Sequence, residues 1–145
     1  PPDELNKVVQ VGAHYGFPFM HGKIFDPEFW PKRPKNKSFT TPMYELPAHV
    51  APLGMRFYTG KMFDQKYHNG IFIAEHGSWN RSSKVGYRIT FLQVYEGRPL
   101  NYEVFASGWL QAETPWGRPA DVQVGPDGSL FVSDDHAGCI YRIYK

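Results

Sequence analysis

Arg118–Asp135, RPADVQVGPDGSLFVSDD, reads as two short strands joined by a tight turn. Val122 and Val124 alternate with polar neighbours in the first half, and Leu130-Phe131-Val132 forms a strand-sized apolar run in the second. Between them lies Gly125-Pro126-Asp127-Gly128, where Pro suits an early turn position and Gly relieves a positive φ. The same grammar occurs once earlier. Ala51-Pro52-Leu53-Gly54 is a Pro-bearing approach like Arg118-Pro119-Ala120-Asp121, and the apolar run from Gly70 ends in Ala74-Glu75-His76 as the later one ends in Ser133-Asp134-Asp135. Gly54–Gly108 holds four consecutive strand signals, and Ala120–Tyr144 begins the series again. Four antiparallel strands per repeat predicts an all-β fold of β-propeller blades.

The candidate strands are Asn6–Val11, Gly54–Tyr58, Gly70–Ala74, Gly86–Tyr95, Tyr102–Gly108, Ala120–Val124, Ser129–Ser133 and Cys139–Tyr144. No stretch keeps a helical period long enough for a core helix. A closed propeller takes four to eight blades, and the strands here amount to about two or three. The expected division is residues 1–50 as the end of one blade plus a long loop, 51–111 as a complete blade, and 112–145 as an incomplete last blade. The connection Phe17–His49 reads as a structureless functional loop or an insertion. The chain is therefore expected to be part of a longer propeller, or a module whose copies associate to bury the open flanks.

Composition removes several classes of function. With 145 residues, 41% apolar and 17% aromatic content, the chain can build a real core and is not a disordered segment. Its longest apolar runs fall far short of the roughly 18 residues of a membrane helix, so no membrane insertion is expected. A net charge of +2 is too small for a nucleic-acid module, and the one basic cluster, Pro31–Lys37, is broken by prolines and reads as a solvated loop. The single cysteine, Cys139, lies in a strand pattern and reads as a small buried hydrophobe.

Gly70–Arg88, GIFIAEHGSWNRSSKVGYR, concentrates His76, Ser78, Trp79, Asn80 and Arg81 in one loop between two strands, the usual place for binding groups on a rigid sheet. Trp79 could equally make that loop a packed plug between blades. Asp121, Asp134 and Asp135 resemble a metal cluster on paper but read first as aspartates tying strands through backbone N–H groups. Trp109 and Trp116 read as packing residues, and His14, His21, His68 and His136 have no ligand spacing.

Several motifs together resemble one family. Pro2-Asp3-Glu4-Leu5-Asn6, Gly16-Phe17-Pro18, Val50–Tyr58, Ala74–Arg81, Gly117–Val122, Val132–Asp135 and Ile140–Ile143 occur in the order found in the C-terminal part of the glucose/sorbosone dehydrogenases. The resemblance implies a six-bladed propeller, pyrroloquinoline quinone (PQQ) as cofactor, calcium beside it, an aldose or aldehyde substrate, and a periplasmic or secreted setting. It puts Arg118, in Gly-Arg-x-x-Asp-Val, on a cofactor carboxylate. It makes Arg81, His76, Ser78 and His49 further cofactor contacts. Calcium would take backbone carbonyls near Pro1 and Pro2. Many relatives carry a second arginine where this chain has Ala120. The family's catalytic histidine belongs to an earlier blade, so no catalytic residue is expected in this chain and inactivity alone is implied. Two alternatives stand beside this: a non-catalytic self-associating module that binds a sugar or a protein, and a calcium-dependent propeller hydrolase.

Overall fold

The computed structural model describes residues 1–145, which divide into two compact units, 1–49 and 50–145. In the first unit β1 (Asp3–Leu5) pairs antiparallel with β4 (Tyr44–Leu46), and β2 (Met20–His21) forms a small hairpin with β3 (Ile24–Phe25). Aromatic contacts replace a sheet core there: Phe25 stacks on Trp30 at 4.0 Å between ring centroids, the Arg33 guanidinium lies 3.9 Å from the Trp30 ring, and Phe39 meets His14 edge-on at 4.8 Å.

Two expectations fail in this unit. Asn6–Val11 is not a strand; those residues are exposed, Val8, Val9 and Val11 included. β-Branched residues favour a strand only where a partner and a packed face exist, and the pairing with β4 stops at Leu5. Nor is Phe17–His49 structureless. It contains β2, β3, β4 and a short 3₁₀ turn at Trp30–Lys32, ordered by the aromatic contacts.

The second unit holds two antiparallel meanders. β5 (Pro52–Phe57), β6 (Ile71–Glu75), β7 (Arg88–Tyr95) and β8 (Arg98–Ala106) form a four-stranded sheet in sequence order. After a short hairpin of β9 (Leu110–Gln111) and β10 (Thr114–Pro115), β11 (Pro119–Val124), β12 (Leu130–Asp134) and β13 (Cys139–Ile143) form a three-stranded sheet with the same winding. The repetition extends to irregularities. The register slips between Pro52 and Gly54 in one sheet and between Pro119 and Asp121 in the other. The all-β, blade-like architecture expected from the strand spacing is therefore present, with the seven strand signals from Gly54 onward realised within a few residues.

Burial explains the sequence pattern. Every residue of β6 is buried, which is why Ile71–Ala74 is apolar without alternation. Phe72, Ala74, Ile89, Phe91, Val122, Leu130 and Val132 share one core across the two sheets. Burying a phenylalanine such as Phe72 contributes roughly 1.5–3 kcal/mol. Cys139 is exposed, contrary to the expectation of a buried thiol. It opens β13, the last strand of its sheet, and no fourth strand of this chain covers it.

The two sheets meet at a close seam. A Cβ on Gly54 would fall 2.5 Å from the Asp121 Cα, so only glycine lets β5 approach β11 this nearly. Farther along, the buried Tyr58 hydroxyl donates to the Gly128 carbonyl at 2.7 Å and accepts the Met62 and Phe63 N–H groups at 3.1 Å. Replacing Tyr58 by Phe strands these backbone groups. The variant should lose about 1–3 kcal/mol of stability, read as a lower urea midpoint with unchanged m-value.

Candidate functional site

β6 and β12 run toward the same end of the two sheets, so the loops 76–87, 107–118 and 135–138 gather there. The neck of the first loop is tightly fastened. His76 and Gly77 donate their N–H groups to the carbonyls of Ala51 and Val50, both at 2.9 Å. The Ser78 N–H bonds the Val85 carbonyl at 2.9 Å, its hydroxyl accepts the Val85 N–H at 3.1 Å, and its carbonyl accepts the Tyr87 hydroxyl. Gly77, at φ +97°, packs on the Tyr87 ring where a Cβ would lie 2.4 Å away. This neck carries Trp79 with 85% of its surface exposed in this chain.

Arg118 ties the second sheet to this neck. Its Nε donates to the His76 carbonyl at 3.1 Å and its Nη2 to the Gly77 carbonyl at 2.6 Å, with the guanidinium 5.2 Å from the Tyr87 ring centroid. The His76 ring crosses back, its Nε2 lying 2.7 Å from Asp135 Oδ1. Thus His76, Ser78 and Arg118 come together, while Arg81 stands exposed on the same loop. His49, exposed at φ 66°, ends the first unit. Pro1 and Pro2, also in that unit, line a cavity of about 470 Å³ with Asp3, Glu4 and His14. No three His, Cys, Asp or Glu side chains converge as a metal cage.

Asp134 organises the end of the second sheet. Its Oδ1 accepts the N–H groups of Arg118 (3.0 Å), His136 (3.0 Å) and Ala137 (2.8 Å), and its Oδ2 accepts the Tyr141 hydroxyl at 2.9 Å. Asp121 likewise accepts a backbone N–H, from Val122 at 2.8 Å. Of the three aspartates expected to tie strands, Asp134 does so, whereas the Asp121 bond stays within β11 and Asp135 meets the His76 ring. Burial pushes the Asp134 carboxyl up, but the donated hydrogen bonds outweigh it and hold it below the ordinary range.

Sequence reasoning missed Glu75. It is fully buried and accepts Arg88 Nε at 2.7 Å, Thr90 Oγ1 at 3.1 Å and the Tyr102 hydroxyl. A lone acid closing an apolar run, with Arg88 opening the next strand, was the available signal. Trp109 is buried as expected, whereas Trp116 is partly open beside it at 6.4 Å.

Residues 32–145 match the model of the TrAA12-like family. The chain belongs to that family. Among curated proteins it is 47% identical over 148 residues to an uncharacterised protein of Borreliella burgdorferi, matching 99% of this chain and 39% of that one. It is 29% identical over 138 residues to the pyrroloquinoline quinone-dependent pyranose dehydrogenase of Coprinopsis cinerea, matching 76% of this chain and 17% of that one. The chain thus spans well under half of either relative. In solved structures it resembles the calcium structure of a Trichoderma reesei family AA12 enzyme (TM-score 0.72, 22% identity, 98% of this chain and 42% of that one). It also resembles the soluble aldose sugar dehydrogenase of Escherichia coli in its apo form (TM-score 0.61, 21% identity, 99% and 37%). At these identities the structural likeness shows the shared fold.

The lowered Asp134 pKa sets a pH dependence for the TrAA12-like unit. A carboxyl whose folded pKa is depressed contributes stability that is fully present above its unfolded pKa of about 3.9 and is lost as pH falls through the folded value. Urea midpoints measured at pH 7 and at pH 3 should fall more in the native chain than in Asp134→Asn; an equal fall in both would remove Asp134 as the source.

Proposed function

We propose that this chain is the C-terminal portion of a quinoprotein sugar dehydrogenase and forms part of its PQQ pocket. In this reading residues 1–50 end one blade and carry a long loop, 51–111 are a complete blade, and 112–145 begin the last one. The supporting observation is the Arg118 guanidinium, fixed on the carbonyls of His76 and Gly77 at the loop-bearing end of the sheets. Two of its five N–H donors are committed there, and the others remain for a carboxylate.

The residues fit a planar tricarboxylate in part. Arg118 and Arg81 supply cations at one sheet end, the Ser78 neck fixes the loop, and Trp79 offers a flat exposed surface. Ala120 withholds the second arginine of many relatives, which lowers the expected affinity. PQQ, when bound, would supply an ortho-quinone able to accept a hydride, and with it two electrons, from a sugar carbon. This chain's own contribution is binding and orientation: Arg118 and Arg81 hold carboxylates, while the Asp135 contact holds the His76 ring. His49 would add a polar contact, and backbone carbonyls of Pro1 and Pro2 would serve calcium. The substrate would be an aldose or aldehyde in a periplasmic or secreted setting. The proton-accepting histidine would come from the rest of the propeller, leaving this chain inactive alone.

A second reading is favoured by Leu53, Met55 and Phe57, which expose one apolar face of β5. Such a face suits an adjoining blade or a further copy of the chain, as in a self-associating, non-catalytic module. Titration of the purified chain with PQQ and calcium, alongside light scattering and a dye-linked aldose assay, separates the readings. Saturable PQQ binding that Arg118→Ala weakens by about 1–3 kcal/mol, without sugar turnover, is the expected result. An affinity untouched by that substitution would remove Arg118 from the pocket, and a defined oligomer indifferent to PQQ would favour the module.

A further inference from the structure

The opposite end of the same two sheets holds a cavity of about 460 Å³ whose walls come only from residues 56–61 and 123–128. It lies on the seam, where Arg56 Nε reaches the Val122 carbonyl at 3.4 Å and the Tyr58 hydroxyl fixes Gly128. Both walls therefore belong to this chain. Glycine lets its two turns pack closely: a Cβ on Gly60 would strike Gly128 Cα at 2.8 Å, and one on Gly128 the Met62 nitrogen at 2.9 Å.

Its charge is one-sided. Arg56 and Lys61 line it, and neither takes part in any of the chain's ion pairs. The only acid on its wall, Asp127, is already engaged by the Ser129 N–H and hydroxyl and by Arg142. Those contacts, the Ser129 hydroxyl first, hold its carboxyl down to about 2, so it stays ionised and compensated at neutral pH. Two uncompensated cations beside a neutralised acid favour an anion.

The rest of the wall narrows the class. Thr59 and Gln123 add a hydroxyl and an amide, no aromatic ring lines the space, and its volume far exceeds the roughly 30 Å³ of a water or a comparably small ion. A ligand here gains contacts through several hydroxyls rather than by stacking. We propose that this seam cavity is a second binding site for a small polyhydroxy carboxylate of the sugar-acid class, its carboxylate between Arg56 and Lys61 and its hydroxyls on Thr59, Gln123 and the 125–128 turn.

Oxidation of an aldose at its anomeric carbon gives a lactone that water opens to such an acid. The link to product rests on the dehydrogenase reading, while the anion site stands on the cavity itself. The test is calorimetric titration of the purified chain with gluconate, with glucose and inorganic phosphate as parallel probes. Gluconate should saturate, bind more tightly than phosphate, weaken as salt is raised and lose about tenfold in affinity in Lys61→Gln, with glucose silent. Lys61 is exposed on a turn, so that variant keeps the fold, which its urea midpoint verifies. Absence of gluconate saturation at millimolar concentration, phosphate binding as tightly as gluconate, or an unchanged Lys61→Gln affinity would overturn the proposal. PQQ titration of the same sample keeps the two readings apart: PQQ bound without gluconate sinks only the second site, and gluconate bound without PQQ sinks only the cofactor reading.

Discussion

The C-terminal unit depends on how closely two sheets can lie at Gly54. With no side chain there, β5 and β11 approach nearly backbone to backbone, and the aligned register slips at Pro52/Gly54 and Pro119/Asp121 bring matching strand ends side by side. That approach is what puts Tyr58 within reach of the Gly128 carbonyl at one end and Arg118 within reach of His76 and Gly77 at the other. A methyl at Gly54 would have to displace Asp121 backbone, which cannot give as a flexible side chain can. Both ends of the seam would then shift together, since packed interiors transmit strain.

Buried carboxylates of this unit follow one rule. Glu75 sits wholly buried because Arg88, Thr90 and Tyr102 each donate to its carboxylate. Removing one partner of such a buried pair typically costs about 3–5 kcal/mol, far more than an exposed pair is worth. Exposed pairs such as Lys145–Asp64 and Lys32–Glu28 contribute little beside it. Asp134 does for the second sheet what Glu75 does for the first, collecting donors at the strand end where the loops depart. Each loop at this end is thus rooted in a buried or nearly buried carboxylate.

The two ends of the unit consequently differ in character. At one, long loops project Trp79 and Arg81 from the fixed Ser78 neck, a rigid base carrying exposed aromatic and cationic groups. At the other, short turns enclose a cationic notch. The two ends thus offer different chemistry: planar surface and guanidinium at one, cations and hydroxyl partners at the other.

The sequence by itself determined the all-β class, the four-strand unit and its partial repeat, because strand period, Gly-Pro-Asp-Gly turn chemistry and apolar runs are local signals. It also pointed to the loop bearing His76, Ser78 and Arg81, and to Arg118, through local motif and resemblance. It misjudged Asn6–Val11, where β-branched residues had no strand to pair with, and Cys139, whose burial needed a fourth strand beside β13. Only the tertiary structure decided that Arg118 grips two backbone carbonyls of another strand's loop, that Glu75 anchors a buried donor cluster, and that Arg56 and Lys61 face one cavity. Those facts depend on contacts between residues far apart in the chain, and such contacts are set by how closely the sheets pack rather than by the pattern of any one segment.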